Sequence, residues 1–258
     1  MRTPRLIALD MDGTLLDGDG RVPDAFWPLL ETARSRGITL APASGRQLAT
    51  LQQMFPDCED FIAENGAVVA RGGEVVSTTA LPEAPVQRLL SALPSAPFAA
   101  HAVVCAPSAA ATAALPPAVD AEVDKYYASR TLLGDGSASP TIKIALYVES
   151  DAERDAYPWV RELVPELRAV VSGKHWVDLM HPDADKGLAL AQLAEAMGVA
   201  MSETAAFGDY LNDLGMLRAA GHAVAMGNAH EDVKAVADEV VGTNTDGAAV
   251  ARLAKWLS

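Results

Sequence analysis

Residues 5–14 read RLIALDMDGT, from Arg5 through Asp10, Asp12 and Gly13 to Thr14. The apolar run Arg5–Leu9 stops abruptly at two carboxylates. A short unbroken apolar run suits a strand buried on both faces of a parallel sheet, with the acids at its C-terminal end. Two carboxylates two residues apart do not ionise together comfortably without a cation or hydrogen-bond donors beside them. Mg²⁺ supplies that charge and prefers oxygen ligands. Gly13 lets the chain turn sharply and brings backbone N–H groups close to an anion. An Asp-x-Asp-Gly turn also occurs on ordinary surfaces, so its weight depends on what the rest of the chain supplies.

Outward from this run, strands and helices alternate. Asp24–Arg36 reads as a helix, with Phe26, Leu29, Leu30 and Ala33 on one face and Gly37 ending it. Ile38–Ala43 reads as a strand, Gln47–Met54 as a short helix and Phe61–Ala63 as a third strand. A turn at Glu64-Asn65-Gly66 then leads to a hairpin, Ala67–Ala70 and Glu74–Thr78. The alternation resumes late in the chain. Helices are expected at Gly187–Met197, Leu211–Ala220, Glu231–Ala237 and Ala248–Leu257, and strands at Ala205–Phe207, His222–Met226 and Glu239–Val241. This order predicts an α/β fold with a doubly wound parallel sheet.

The middle differs. From about Leu81 to His175 prolines are frequent, and Ala109–Ala114 is an alanine-rich stretch. Strands are expected at Thr141–Val148, Leu167–Val171 and Trp176–Met180, and a helix at Glu153–Val164 with Pro158 early in it or interrupting it. These features predict an inserted α+β domain over residues 81–175, with residues 1–80 and 176–258 forming the core.

Three further clusters carry chemistry. Gly208-Asp209-Tyr210-Leu211-Asn212-Asp213 follows a predicted strand. Asp209 there is placed to ligate a cation, and Asp213, one helical turn on, reaches the same region. A helix start rich in capping residues explains one such residue better than three. Ser44-Gly45-Arg46 offers a hydroxyl and free N–H groups at a helix start, which is an anion seat, although a plain Ser cap reads the same way. Lys186-Gly187 opens a helix with a cation able to meet a phosphate and offset carboxylate repulsion.

Composition narrows the class. The 258 residues are 50% hydrophobic and 21% charged, with a formal net charge of −14. So acidic a surface repels nucleic acid and anionic membrane. Cys58 and Cys105, the two cysteines, form neither a disulfide framework nor a zinc motif. No stretch reaches the roughly 18 uninterrupted apolar residues of a membrane span, and the N-terminal run is no signal peptide. A cytoplasmic protein is the expectation. Nothing in the sequence sets an oligomeric state.

Taken together, the four clusters resemble in order and type the motifs of the haloacid dehalogenase superfamily. Asp10 to Thr14 matches its first motif, Ser44 its second, Lys186 its third, and Gly208, Asp209 and Asp213 its fourth. Thirty residues separate Thr14 from Ser44, but 142 separate Ser44 from Lys186, so an insertion lies between the second and third motifs. That position is similar to the Cof-type phosphatases, as are Asn65-Gly66-Ala67 and Ala225-Met226-Gly227-Asn228-Ala229. The resemblance spans Arg5 to Leu257 and is weak within the insertion. It implies a Rossmann-like core with an α/β cap and hydrolysis of a small phosphorylated metabolite, a sugar phosphate or similar phosphomonoester.

The same resemblance implies roles. Asp10 attacks phosphorus and forms an aspartyl-phosphate; Asp12 protonates the leaving oxygen and then activates water. Mg²⁺ is held by Asp10, Asp209, Asp213 and the backbone carbonyl of Asp12. Gly13, Ser44, Gly45, Arg46, Lys186 and Asn212 surround the phosphoryl group. The cap closes as a lid and chooses the leaving group, with Trp176 a candidate contact beside His175, Asp178 and His181; a core position explains Trp176 equally well. Lys125, Tyr126, Tyr127 and Arg130 read more readily as solvated surface. Two other classes fit the same residues: a phosphomutase, and a non-catalytic protein that binds a phosphorylated metabolite.

Overall fold

The opening run is strand β1 (Leu6–Asp10), buried along its whole length. The computed structural model describes residues 3–133 and 140–258. Beyond β1 come α1 (Phe26–Ser35), β2 (Thr39–Ala43), α2 (Leu48–Met54), β3 (Phe61–Ala63), β4 (Val68–Arg71) and β5 (Glu74–Thr78). The middle holds α3 (Glu83–Ala92), β6 (Ala100–Cys105), β7 (Ala110–Thr112), α4 (Pro117–Val123) and β8 (Arg130–Leu132). It continues with β9 (Lys143–Val148), α5 (Tyr157–Leu163), β10 (Arg168–Gly173) and β11 (Trp176–Met180). The last part is α6 (Lys186–Met197), β12 (Thr204–Gly208), α7 (Leu214–Ala219), β13 (Ala223–Ala225), α8 (Glu231–Lys234), β14 (Glu239–Val240) and α9 (Ala248–Trp256).

The chain divides into two compact units. One comprises Met1–Gly45, Leu51–Ser77 and Asp185–Ser258; the other comprises Arg46–Thr50 and Thr78–Ala184. The first unit contains an eight-stranded sheet in the order β14-β13-β12-β1-β2-β3-β4-β5. From β14 to β3 every pairing is parallel, and β4 returns antiparallel to β3. Leu6, Ile7, Ala8 and Leu9 are fully buried, as an unbroken apolar run in a central parallel strand requires. Helix α6 buries Ala189, Leu190, Leu193 and Ala194. Its first turn is capped by the Asp185 carboxylate, which accepts from Gly187 N–H at 2.7 Å and Leu188 N–H at 3.2 Å. Strand order reverses around β1, with β2 and β3 on one side and β12 to β14 on the other. Ligands in such sheets bind beyond the carboxyl ends of the strands at this reversal.

The second unit has its own six-stranded sheet, β10-β11-β9-β6-β7-β8. All its pairings are antiparallel except β7 with β8. One face is apolar: Ile144, Leu146 and Val148 of β9 and Val177 and Leu179 of β11 pack with Val86 and Leu89 of α3 and Val160 of α5. Strands β9 and β11 fall within the segments expected to be strands, and Pro158 sits in the first turn of α5, where a missing N–H does no harm. Strand β7 lies within the alanine run, whose Ala110 and Ala111 are fully buried. The C-terminal junction falls later than expected, at Ala184 rather than near His175. The reason is β11, which pairs with β9 in the second sheet, Trp176 opposite Tyr147. Among the described residues no helix is long and apolar enough to cross a membrane.

Candidate active site

The parallel register puts the acidic motifs side by side. Leu9 pairs with Phe207 and Asp10 with Ala43, so Asp10, Ser44 and Asp209 leave neighbouring strands at the same edge of the sheet. After Asp10 the chain makes one tight turn over Met11–Leu15, closed by Leu16 N–H donating to Met11 O at 2.9 Å. Gly13 takes φ +82° there, and a Cβ at this position would stand 2.1 Å from Asp209 Oδ2. Only glycine admits both that backbone and that approach.

Lys186 ties the motifs together. Its side chain is fully buried, and Nζ donates to Asp10 Oδ1 at 2.6 Å and to Asp213 Oδ1 at 2.7 Å. Asp213 is equally buried. Its other oxygen accepts from the N–H groups of Asp209 at 3.0 Å and Tyr210 at 3.2 Å, so this carboxylate shapes the loop as well as pairing with the lysine. Asp209 Oδ1 accepts from Thr14 Oγ1 at 3.2 Å. Asn228 Nδ2 donates to Gly13 O at 2.8 Å and reaches Asp209 Oδ2 at 3.4 Å.

The electrostatics are those of crowded carboxylates. Burial, then the charge of Asp213, push Asp10 up to about 8 against the pull of Lys186. Burial and Asp213 likewise push Asp209 up to about 6, against the hydrogen bond from Thr14. Burial disfavours the Lys186 ammonium, but attraction to Asp10 and Asp213 outweighs it, and its pKa is raised. Oxygens of Asp10, Asp209 and Asp213 all lie within 4.8 Å of one another. When fully ionised, three carboxylates against one ammonium carry two net negative charges, the charge that one divalent cation cancels. An all-oxygen donor set suits Mg²⁺, so the residues present fit this ion.

The expected residues divide as follows. Asp10, Lys186, Asp209 and Asp213 form one cluster, buried except for the half-buried Asp209, with Gly13 beside it. Asp12 presents an exposed side chain outside that cluster. Ser44 is buried and Gly45 and Arg46 partly so. Asn212 is exposed and donates to Asn65 Oδ1 at 3.3 Å. Trp176 is 9% exposed and packs against Tyr126, Tyr127 and Tyr147 within the second unit. Nearby, His175 Nδ1 bonds Val148 O, and Arg130 pairs with Asp120 and Asp124. Thr14 and Asn228 also belong to the site, and the sequence gives neither a role of its own there. Thr14 stands in the opening motif and Asn228 in the Ala225–Ala229 segment, but neither reveals its partner locally.

Known proteins share both sequence and fold. The family model described as haloacid dehalogenase-like hydrolase matches residues 7–253. Phosphatase YwpJ of Bacillus subtilis is 32% identical, with 98% of this chain and 99% of that protein covered. The 5-amino-6-(5-phospho-D-ribitylamino)uracil phosphatase YbjI of Escherichia coli is 29% identical, over 93% of this chain and 91% of that protein. The solved structure of a haloacid dehalogenase-like hydrolase from B. subtilis superposes with a TM-score of 0.78 at 28% identity, covering 97% of this chain and 99% of that one. The chain therefore belongs to the haloacid dehalogenase-like hydrolase family, in the Cof-type branch.

Proposed function

We propose that this chain is a cytoplasmic, Mg²⁺-dependent phosphatase that hydrolyses a small phosphorylated metabolite by way of a phosphoryl group carried on Asp10. The observation that carries this reading is the buried Lys186 ammonium held between Asp10 and Asp213. A cation fixed against Asp10 favours its ionised form, the form able to attack phosphorus, in a place where burial alone favours the neutral acid. In the first step an Asp10 oxygen forms a bond to phosphorus as the bond to the ester oxygen breaks, and Asp12 gives that oxygen a proton. In the second, Asp12 takes a proton from water as the water oxygen attacks the aspartyl-phosphate, releasing phosphate and restoring the Asp10 carboxylate and the protonated Asp12. The exposure of Asp12 suits a group that exchanges protons with leaving group and solvent.

The Asp10 and Asp209 carboxylates and the Asp12 carbonyl, with Asp213 beside them, would hold Mg²⁺, which would neutralise charge as the carboxylate meets the phosphate. Ser44, Gly45, Lys186 and Asn212 hold the phosphoryl oxygens. All these groups belong to the first unit, so the inserted unit, Thr78–Ala184, is assigned the choice of leaving group.

The test is phosphate release across a panel of phosphomonoesters in Mg²⁺, with EDTA and Asp10→Asn as controls and no bisphosphate activator. Release that EDTA abolishes and that falls by about three orders of magnitude or more in a folded Asp10→Asn protein is expected. Release unaffected by either control would refute the mechanism.

A further inference from the structure

The loop after β3 takes a backbone that side chains other than glycine rarely adopt. Glu64, Asn65 and Gly66 all have positive φ, at 52°, 55° and 93°. Left-handed backbone at two successive non-glycine residues is strained and persists only where its surroundings over-determine it. Here they do. Ser44 N–H donates to Ile62 O at 2.8 Å, and Asn65 N–H donates to Ser44 O at 2.9 Å. The Asn65 carboxamide lies against Gly45, where a Cβ would stand 2.8 Å from Nδ2. Its Oδ1 accepts from Asn212 Nδ2 at 3.3 Å. A single side chain from the end of β3 thus touches the loops after β2 and β12, which flank β1 on opposite sides.

Peptide planarity supplies the consequence. The Ser44 carbonyl points toward the β3 loop, and the Gly45 N–H belongs to the same trans peptide. That N–H therefore points the opposite way, away from the β3 loop and to the side of β2 on which β1 lies. We propose that Asn65 is a positioning residue for phosphoryl transfer: it directs the Gly45 N–H and places Asn212 about the phosphoryl group. The proposal rests on the phosphatase reading above. Asparagine suits the position because it tolerates left-handed backbone and presents a carboxamide there. Glycine meets the first requirement and not the second.

Asn65→Gly separates the two. With a phosphomonoester that the wild-type protein hydrolyses in Mg²⁺, kcat should fall about tenfold, the worth of one oriented hydrogen bond. KM should stay within about twofold, because donors aimed at the phosphoryl group act mainly in the transition state. Inhibition by orthovanadate, which mimics five-coordinate phosphorus, should weaken by a similar factor, with the thermal melt nearly unchanged. Combining Asn65→Gly with Asn212→Ala should cost little more than the worse single change, because the two residues act together. Asn65→Asp keeps an acceptor for Asn212 but adds a negative charge, and should lose more kcat than the glycine variant. Wild-type kcat and vanadate inhibition in folded Asn65→Gly, or fully additive losses in the double variant, would overturn the proposal. If the glycine variant does not fold, wild-type kcat in Asn65→Asp would do so. A wild-type protein that releases no phosphate and ignores vanadate would instead overturn the phosphatase reading itself.

Discussion

Replacing Lys186 with methionine tests the centre of the site, because it keeps most of the buried stem and deletes the charge. The ammonium is fully buried and serves two carboxylates, at 2.6 and 2.7 Å. Removing one partner of such a buried arrangement costs about 3–5 kcal/mol, because the carboxylates are left uncompensated. For a chain of this size each kcal/mol lowers Tm by about 2–4 °C, so a loss on the order of 10 °C is expected near pH 8.

The pH dependence has a definite sign. Asp10 already stands at about 8 with the lysine in place, and without it the carboxyl holds its proton to higher pH. The variant's folded state then binds more protons than the wild type's, so acidification favours the variant relative to wild type. The Tm deficit should shrink as pH falls from about 10 to about 8, the range above the value of about 8 at which wild-type Asp10 titrates. Activity should fall much further than stability. Each unit by which the Asp10 pKa rises above ambient pH removes about tenfold of the ionised nucleophile, and the phosphoryl group loses its neighbouring cation as well. A loss of roughly two to three orders of magnitude is expected. Thermal melts at the two pH values, with Mg²⁺-dependent phosphate release on the folded protein, make the measurement. A folded Lys186→Met protein within about threefold of wild-type activity, or a Tm deficit that grows on acidification, would refute the reasoning.

Other outcomes follow from the same geometry. Gly13→Ala forces a Cβ against Asp209 at φ +82°, and should lower Tm by several degrees for about 1–2 kcal/mol of backbone strain; it should also abolish the Tm increase expected of the wild type on adding Mg²⁺, and an undiminished increase would contradict the packing. Mg²⁺ binding needs ionised carboxylates, so that increase should itself grow as pH rises through about 6, the range to which Asp209 is pushed; equal increases at pH 5 and pH 7.5 would count against Asp209 as a ligand. Asp12→Ala should slow hydrolysis of alkyl phosphates far more than of an activated aryl phosphate, which needs little protonation of its leaving group. Equal losses would remove Asp12 from that role. Burial pushes the Cys58 thiol up to about 12, and Cys105 is buried too. Neither should react with iodoacetamide at pH 8 until the chain is unfolded, and prompt labelling of the native protein would be inconsistent with this burial.

The chemistry-bearing residues are legible in the sequence because their signals are local. A buried parallel strand announces itself as a short apolar run, and a polar residue at its end must leave the sheet at the carboxyl edge. Asp10, Ser44 and Asp209 follow such runs, so their presence at one edge follows from topology alone. The hairpin β4–β5 and the alternation around β12 to β14 are readable for the same reason. Helix ends are less so, as in the segment expected to be helical over Leu211–Ala220, which is a tight turn through Asp213 before α7.

Tertiary structure decided the partnerships. Lys186 and Asp10 are 176 residues apart, and nothing in the neighbourhood of either says that they meet. The bond forms because α6 starts where its first side chain is enclosed by the first unit. Sheet pairing also moved Trp176 out of the core and into an aromatic cluster of the second unit. The alanine-rich stretch became the buried strand β7 by pairing with β6 and β8, partners that alanine's own weak strand preference does not reveal. Asn65 is the clearest case. The sequence determined that a turn follows β3, since Asn-Gly favours positive φ. Which groups that turn touches, Ser44, Gly45 and Asn212, depends on three non-consecutive segments meeting at one sheet edge, and long-range packing alone sets that.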